Sequence, residues 1–228
     1  MKTLLVSALI AAAGCGGSNS LSLSIRAGAP VVTAASSSAL TLSNGIVLGR
    51  VRIVVTKVEL ELAKTPDAGT ADLEEHELKA GPFLIDLAGA TLDSATLATV
   101  ASAGLPAGTY KEIKFKIHKP QSSESGVSAD PALQAMATAG ASIVVDGTID
   151  GAAFTFSTPM DVEQKLEGTF VLGANSNVTL NVDVTSWFGG AGSARLDPRT
   201  DSARSGIESN IQHSFKAFRD DNKAGHET

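Results

Sequence analysis

The sequence predicts a mostly β protein, an antiparallel β-sandwich with short helices and an amphipathic helix near the C-terminus. Three observations support this fold class. Short segments alternate between apolar and polar residues, the pattern of strands with one buried face. Turn residues separate these segments, whereas a parallel sheet would need a regular crossover helix between its strands. Hydrophobic residues make up 43% of the 228-residue chain, which supplies a core and excludes a largely disordered protein.

The charge and cysteine content exclude several classes of function. The chain has 18 Lys and Arg residues against 24 Asp and Glu residues, a formal net charge of −6. A nucleic-acid-binding protein normally carries a basic face, so no nucleic-acid partner is expected. Cys15 is the only cysteine of the sequence, which excludes an intramolecular disulfide framework and a Cys-rich metal cluster.

The N-terminal segment has the pattern of an export signal. Lys2 precedes an apolar run over Leu4–Ala13, and small residues follow up to Cys15. The run is shorter than the roughly 20 residues of a membrane-spanning helix, and the order of charge, apolar run and small residues is typical of a signal peptide. We therefore expect residues 1–14 to be a signal peptide and residues 15–20, rich in Gly and Ser, to be a flexible tether.

The segment Ala12-Ala13-Gly14-Cys15 resembles the lipobox of bacterial lipoproteins. In that family the cysteine becomes the first residue and is acylated, with palmitate among its fatty acids. The resemblance implies lipidation of Cys15 and a membrane anchor made of acyl chains. Because Ala12 stands where the family usually has Leu, an ordinary secretory signal remains the alternative. Gly16, in place of Asp, implies the outer membrane of the cell envelope if the source has two membranes.

Residues 21–218 are predicted to form a single domain built mainly of short strands. Apolar and polar residues alternate over residues 21–26, 113–118 and 178–184, which indicates strands with one polar face. The pair Asp150-Gly151 predicts a two-residue hairpin turn, because both residues tolerate positive φ.

Residues 46–62 are predicted to form a strand whose buried face changes halfway. Apolar residues occupy odd positions up to Val55 and even positions from Val58 onward. A shift of one residue exchanges the two faces of a strand. We therefore expect a bulge, or a change from one sheet to another, around Thr56 and Lys57.

Three helices are expected. Leu92–Ala103 has apolar residues at helical spacing, and Asp130–Ala139 begins with an Asp N-cap followed by Pro. The C-terminal helix is predicted to begin at Ser205, with Glu208 completing a capping box. Residues 219–228 are interpreted as a frayed tail. The apolar face of the C-terminal helix comprises Ile207, Ile211, Phe215 and Phe218.

The order of these features resembles a bacterial lipoprotein family known as a domain of unknown function. The resemblance covers about residues 46–186. Its element Leu105-Pro106-Ala107-Gly108-Thr109-Tyr110 is also similar to prealbumin-like and carboxypeptidase-regulatory-like β-sandwich domains. The resemblance implies a prealbumin-like sandwich in which Leu105, Gly108 and Tyr110 are structural positions, and it implies no reaction. The other segments that carry it are Arg52–Glu61, Phe83–Leu87, Asp146-Gly147 with Phe154 and Pro159, and the strand that ends at Val184.

No catalytic or metal-binding motif is present in the sequence. A nucleophile elbow, a phosphate loop and a dinucleotide fingerprint are all absent, so we expect neither an enzyme nor a cofactor. His118 is expected to be solvated on the polar face of a strand. Glu74, Glu75 and Glu77 lack the central Gly of a calcium loop and are interpreted as a solvated patch. The four histidines, His76, His118, His213 and His226, lack the spacing of paired ligands on a helix.

Two groups of residues are candidates for binding. Trp187-Phe188 follows a strand and precedes a Gly-rich loop, so the pair would either bind a protein or glycan partner or close the end of the core. Asn177, Asn181 and Asp183 share the polar face of one strand, where they would either bind a cation or sugar or simply face solvent.

These observations predict a lipid-anchored bacterial envelope protein that acts as a non-enzymatic binding or structural-interaction module. The alternative is a periplasmic carrier or sensor of a metal ion or small ligand. An interaction module should expose Trp187-Phe188 or another apolar patch. A metal carrier should instead bring several carboxylates or His118 into one cleft.

Overall fold

The computed structural model describes residues 19–27, 39–62, 82–92, 98–105, 108–172, 175–191 and 194–222. These ranges contain eleven strands and two α-helices, so the predicted mostly β fold class is confirmed. No helix among them is long and apolar enough to cross a membrane. In chain order the elements are β1 (Asn19–Ala27), β2 (Leu40–Thr41), β3 (Ile46–Leu62), β4 (Phe83–Ala88), β5 (Ala98–Leu105), β6 (Gly108–Ile117), α1 (Pro131–Ala139), β7 (Ile143–Ile149), β8 (Ala152–Thr158), β9 (Val162–Leu172), β10 (Asn175–Val182), α2 (Asp201–His213) and β11 (Phe215–Arg219).

The strands form two sheets that share one hydrophobic core. The smaller sheet has the order β11-β10-β1-β5, and the larger has the order β8-β7-β3-β6-β9, with β2 and β4 also paired to β3. Buried residues of both sheets, such as Leu180 and Val51, belong to the same core cluster. All pairs are antiparallel except β1 with β10, whose parallel pairing places the start of one strand beside the start of the other.

The change of face within β3 is confirmed. Val55 and Val58 are both buried, although they differ in parity, and the ladder between β3 and β6 shifts register between Val55 and Lys57. The hydroxyl of Thr56, the additional residue, donates a hydrogen bond to the Lys116 carbonyl at 3.2 Å. The bulge lets one long strand keep its apolar side on the core along its whole length.

Two local predictions are also confirmed. Asp150 and Gly151 have φ angles of 53° and 79° and form the turn between β7 and β8. The Asp130 carboxylate caps α1 by accepting hydrogen bonds from the backbone N–H groups of Ala132 at 2.8 Å and Leu133 at 3.2 Å. The buried residues of α1 belong to a second, smaller core cluster with two strand residues of the larger sheet, Val54 and Val144.

The predicted helix over Leu92–Ala103 is wrong. The chain forms a short 3₁₀ helix over Gly89–Leu92, and Ala98–Leu105 is strand β5. Strand β5 pairs antiparallel with β1, with Ala101 opposite Leu23. Ala, Ser and Thr carry a weak local signal, so the pairing with a distant strand determines the structure of this segment.

The C-terminal segment differs from the prediction in three ways. Helix α2 begins at Asp201 after the N-cap residue Thr200, so Ser205 lies inside the helix and is exposed. The helix ends at His213, and Phe215 begins strand β11 instead of extending the helical face. Residues 219–222 are not frayed: Asp220 is fully buried, and its N–H donates to the Asn177 carbonyl at 3.0 Å. Residues 223–228 lie outside the described residues.

Candidate functional site

Trp187 and Phe188 are fully buried, so the prediction that they form an exposed partner-binding surface is wrong. A 3₁₀ helix over Val184–Ser186 follows β10 and directs the pair into the core. The Phe188 ring lies 5.8 Å from Phe154, edge to face, and the Trp187 ring lies 6.5 Å from Phe215. The pair closes one end of the core, which is the alternative that the sequence left open.

The polar residues of β10 divide into two groups. Asn177 is fully buried: its Oδ1 accepts a hydrogen bond from Ser24 at 2.8 Å, and its Nδ2 donates to Thr179 at 3.2 Å. Asn177 therefore belongs to a buried polar cluster and is not part of an open site. Asn181 and Asp183 are only partly buried and line a groove.

This groove, which we call the β10–β11 groove, has a volume of about 430 Å³. It lies where the end of β10, the C-terminal half of α2 and the beginning of β11 meet. The sequence did not indicate it, because half of its lining comes from a segment almost 30 residues further along the chain. The lining residues are Asn181, Asp183, Ser186, Asn210, His213, Ser214 and Lys216.

Two opposite charges line the β10–β11 groove. Lys216 stands directly opposite Asn181 in the ladder between the two strands, and its side chain is exposed. The Asp183 carboxylate is held by Thr185, whose backbone N–H and hydroxyl both donate to Oδ1, at 3.1 Å and 2.5 Å. Within the described part of the chain no ion pair joins Lys216 to Asp183, so each charge remains open to the groove.

The remaining groove residues add neutral polar groups. The Asn210 amide donates from Nδ2 to the carbonyls of Trp187 at 3.1 Å and Gly189 at 2.8 Å, which leaves its Oδ1 as an acceptor. His213 Nδ1 lies 2.7 Å from the Ser209 carbonyl. Because a carbonyl only accepts, Nδ1 carries the proton, and in the neutral ring Nε2 is an acceptor. The groove therefore combines one cation, one anion and several neutral hydrogen-bonding groups.

His118 lies in a second cavity, of about 350 Å³, beside the β3 bulge. Its Nδ1 is 3.5 Å from an Asp161 carboxylate oxygen, and Glu124 is the one carboxylate among the described residues that line this cavity. His118 and Asp183 thus lie in separate cavities. Among the residues that the structure describes, no three His, Cys, Asp or Glu side chains are grouped to hold a metal ion.

Several carboxyl groups with shifted pKa values pair with arginines away from the β10–β11 groove. Hydrogen bonds from Arg50 lower the pKa of Asp86, and this pair joins β3 to β4. Hydrogen bonds from Arg195 lower the pKa of Asp150, and this pair joins the β7–β8 turn to the segment before α2. These shifts arise from ion pairs that join structural elements, so they do not mark a reactive site.

Further sequence predictions also fall outside the described residues: the signal peptide over residues 1–14, lipidation of Cys15, and the solvated acidic patch of Glu74, Glu75 and Glu77. Strand β1 already begins at Asn19, so the predicted tether over residues 15–20 is too long by two residues.

Comparison with known proteins identifies a family. The solved structure of MbnP from Methylosinus trichosporium matches this chain with a TM-score of 0.39 and 14% sequence identity, over 87% of this chain and 98% of that chain. A comparison with curated proteins gave no match. A family model matches residues 47–189, which span β3 to the loop after Phe188. Because this match covers more than half of the chain, the protein belongs to the family described as Domain of unknown function (DUF4382).

Proposed function

We propose that this protein is a lipid-anchored bacterial envelope protein that acts as a non-enzymatic binding module. The mature chain would begin at an acylated Cys15. Strand β1 begins at Asn19, and four extended residues reach at most about 14 Å, so the domain would stay close to the membrane surface. In a source with two membranes, Gly16 favours the outer membrane.

The observation that carries the proposal is the parallel pairing of β1 and β10. Ser20 lies opposite Asn175 and Ala27 lies opposite Val182, so both strands start at the anchored end and finish at the other. At about 3.3 Å per residue, the seven steps along β1 separate the two ends by about 23 Å. The β10–β11 groove lies at the far end, next to Asp183, where it would face away from the membrane.

One exposed apolar side chain supports this orientation. Val171, 60% exposed, is the one large hydrophobic residue among those described that is exposed in this way. It lies at the end of β9, next to the start of β10, and therefore on the anchored side. Contact with a lipid surface would remove this apolar side chain from water, which is favourable.

We also propose that the two sheets form a prealbumin-like β-sandwich. Tyr110 is fully buried, and burial raises its pKa. This supports the structural role that the Leu105–Tyr110 resemblance implies for it. Gly108 is the first residue of β6.

Mass spectrometry of the untagged protein, extracted from its own membrane, tests the anchor. We expect the intact mass of a chain that begins at Cys15 and carries acyl groups. The Cys15→Ser variant should lose both the acyl mass and the association with the membrane fraction. An unacylated mature mass in the wild-type protein would overturn the lipid anchor.

Fluorescence quenching tests the orientation. A thiol-reactive dye would be placed on V171C or on K216C in the lipidated protein, reconstituted in vesicles that contain headgroup-labelled quencher lipids. We expect strong quenching at position 171 and little at position 216. Equal quenching at the two positions would contradict the proposed orientation.

The second candidate function is a periplasmic carrier or sensor of a small ligand or metal ion. The β10–β11 groove favours the small-ligand form, because it is roomy and the described residues that line it include one carboxylate and one imidazole. Native mass spectrometry distinguishes the candidates. A stoichiometric additional mass that disappears in Asp183→Ala would support the carrier, whereas a bound metal that is unchanged by Asp183→Ala would exclude this groove as its site.

A further inference from the structure

We infer that the β10–β11 groove binds a small zwitterion, a ligand that carries one carboxylate and one ammonium group as a free α-amino acid does. The inference rests on the proposed binding function and names the class of ligand. It does not depend on the membrane anchor.

The charge arrangement carries the inference. Lys216 and Asp183 line the same groove, and in the described part of the chain no ion pair neutralises one with the other. A ligand with only a negative group would gain from Lys216 but be repelled by Asp183, and a purely cationic ligand would meet the reverse. A zwitterion gives each charge an opposite partner.

The groove also supplies hydrogen-bonding groups for both ends of a zwitterion. The amide N–H groups of Asn181 lie on the strand position opposite Lys216, so both can donate to a carboxylate. Asp183 Oδ1 is occupied by Thr185, and its Oδ2 remains as an acceptor. Asn210 Oδ1 and His213 Nε2 are further acceptors in the same lining. An ammonium group has three N–H donors, the same number as these acceptors.

The lining also disfavours the other ligands that the sequence left open for this strand. Sugar rings are usually held against an aromatic face, and none of the seven lining residues is aromatic, because Trp187 is buried beneath the groove. A cation such as Ca²⁺ takes six to eight oxygen ligands, several of them carboxylates, and among the described lining residues only Asp183 supplies a carboxylate.

Isothermal titration calorimetry on the detergent-solubilised full-length mature protein tests the inference. The probes are L-alanine and glycine, with acetate, methylammonium and glucose as comparison ligands at the same concentrations. We expect the two zwitterions to bind and the three comparison ligands to bind at least about tenfold more weakly, since acetate and methylammonium each lack one of the two charge-assisted contacts and glucose lacks both. The affinity for L-alanyl-L-alanine, compared with that for L-alanine, shows whether the groove prefers a free amino acid to a peptide, because the charged groups of the dipeptide lie further apart.

Two charge-removing variants identify the site. Asp183→Asn and Lys216→Met should each weaken L-alanine binding by about tenfold or more. Asp161→Asn and Lys119→Met are matched controls outside the groove, and they should bind as the wild-type protein does.

Three results would overturn the inference: acetate binding as tightly as L-alanine, glucose binding in preference to both zwitterions, or no heat from any probe. Unchanged affinity in both groove variants would place the ligand elsewhere and also overturn it. These results are independent of the acyl mass at Cys15, so a failure of the ligand assignment is distinguishable from a failure of the proposed anchor.

Discussion

The indole Nε1 of Trp187 donates a hydrogen bond to the hydroxyl of Ser214 at 2.7 Å. The Ser214 hydroxyl in turn donates to the Ile211 carbonyl at 2.7 Å. These bonds join the turn after β10 to the junction between α2 and β11. Since Ser214 also lines the β10–β11 groove, the core side chain of Trp187 fixes the position of the groove floor.

We predict that Trp187→Ala lowers the free energy of unfolding by about 3–5 kcal/mol, because it removes a fully buried large side chain and leaves a cavity. Ser214→Ala removes both hydrogen bonds and leaves the buried Trp187 Nε1–H without this acceptor, so it should cost about 1–3 kcal/mol. Urea denaturation measures both. Val171→Ala, at an exposed position, is the control and should change stability by less than about 0.5 kcal/mol. If Trp187→Ala unfolded at the same urea concentration as the wild-type protein, the role of Trp187 in the core would be contradicted.

The features that the sequence predicted correctly depend on neighbouring residues. Asp150-Gly151 specifies its turn through positive φ, and Asp130 specifies the start of α1 through its carboxylate. The change in apolar parity between Val55 and Val58 indicated a bulge or a change of sheet, and the structure has the bulge. In each case the determining chemistry lies within a few residues.

The features that the sequence missed depend on distant pairing. Phe215 continues the helical spacing of Ile211, yet its segment pairs with β10 and becomes a strand. The β10–β11 groove exists only because this register places Lys216 opposite Asn181. Trp187-Phe188 next to a Gly-rich loop fits a buried or an exposed pair equally well, and only the packing against Phe154 and Phe215 decides between them.

A second prediction concerns the close contact of two strands at Gly147. A Cβ at this position would lie 2.4 Å from the Val47 carbonyl oxygen and 2.9 Å from Cζ of Phe154. The oxygen belongs to β3 and cannot move without disturbing the ladder, so Gly147→Ala should lower the free energy of unfolding by about 1–3 kcal/mol.

Gly49→Ala is the matched control. Its added Cβ would meet only the Asp146 carbonyl oxygen, at an ordinary 3.6 Å. We expect it to be neutral or to stabilise the fold by about 0.5–1 kcal/mol, because Ala loses less backbone entropy than Gly on folding. Thermal and urea unfolding should show a loss of stability in Gly147→Ala and none in Gly49→Ala. Equal effects would mean that the clash at Gly147 relaxes freely.

A third prediction concerns pH. Hydrogen bonds from the Arg199 side chain and backbone lower the pKa of Asp197 from 3.8 to about 2. A depressed pKa means that the charged pair contributes stability above the ordinary pKa of the carboxyl group, and that this contribution is lost as the pH falls from 3.8 through about 2.

Arg199→Gln should raise the pKa of Asp197, measured by NMR titration of its carboxyl carbon. The pKa should remain below 3.8, because the backbone N–H of residue 199 still donates to Asp197. The pKa of Asp86, which depends on Arg50, is the internal control and should not move. An unchanged Asp197 value would contradict the assigned cause.

The last prediction concerns the segment after β11, which is held against β10 by a buried polar cluster. Asp220 is fully buried, and its Oδ2 accepts a hydrogen bond from the Thr179 hydroxyl at 2.9 Å. The Asn177 amide also donates to the Asp220 carbonyl at 3.0 Å. Removing the carboxylate leaves a buried hydroxyl without this acceptor, so Asp220→Ala should cost about 1–3 kcal/mol.

Asp161→Ala, at a side chain that is 59% exposed, is the matched control and should cost less than about 0.5 kcal/mol. Hydrogen exchange at the backbone N–H groups of residues 177 and 220 gives a local measurement in addition to urea denaturation. In Asp220→Ala both amides should exchange faster while those of α1 keep their protection, because α1 packs on the other sheet. Unchanged exchange at both amides would mean that the carboxylate does not hold this segment in place.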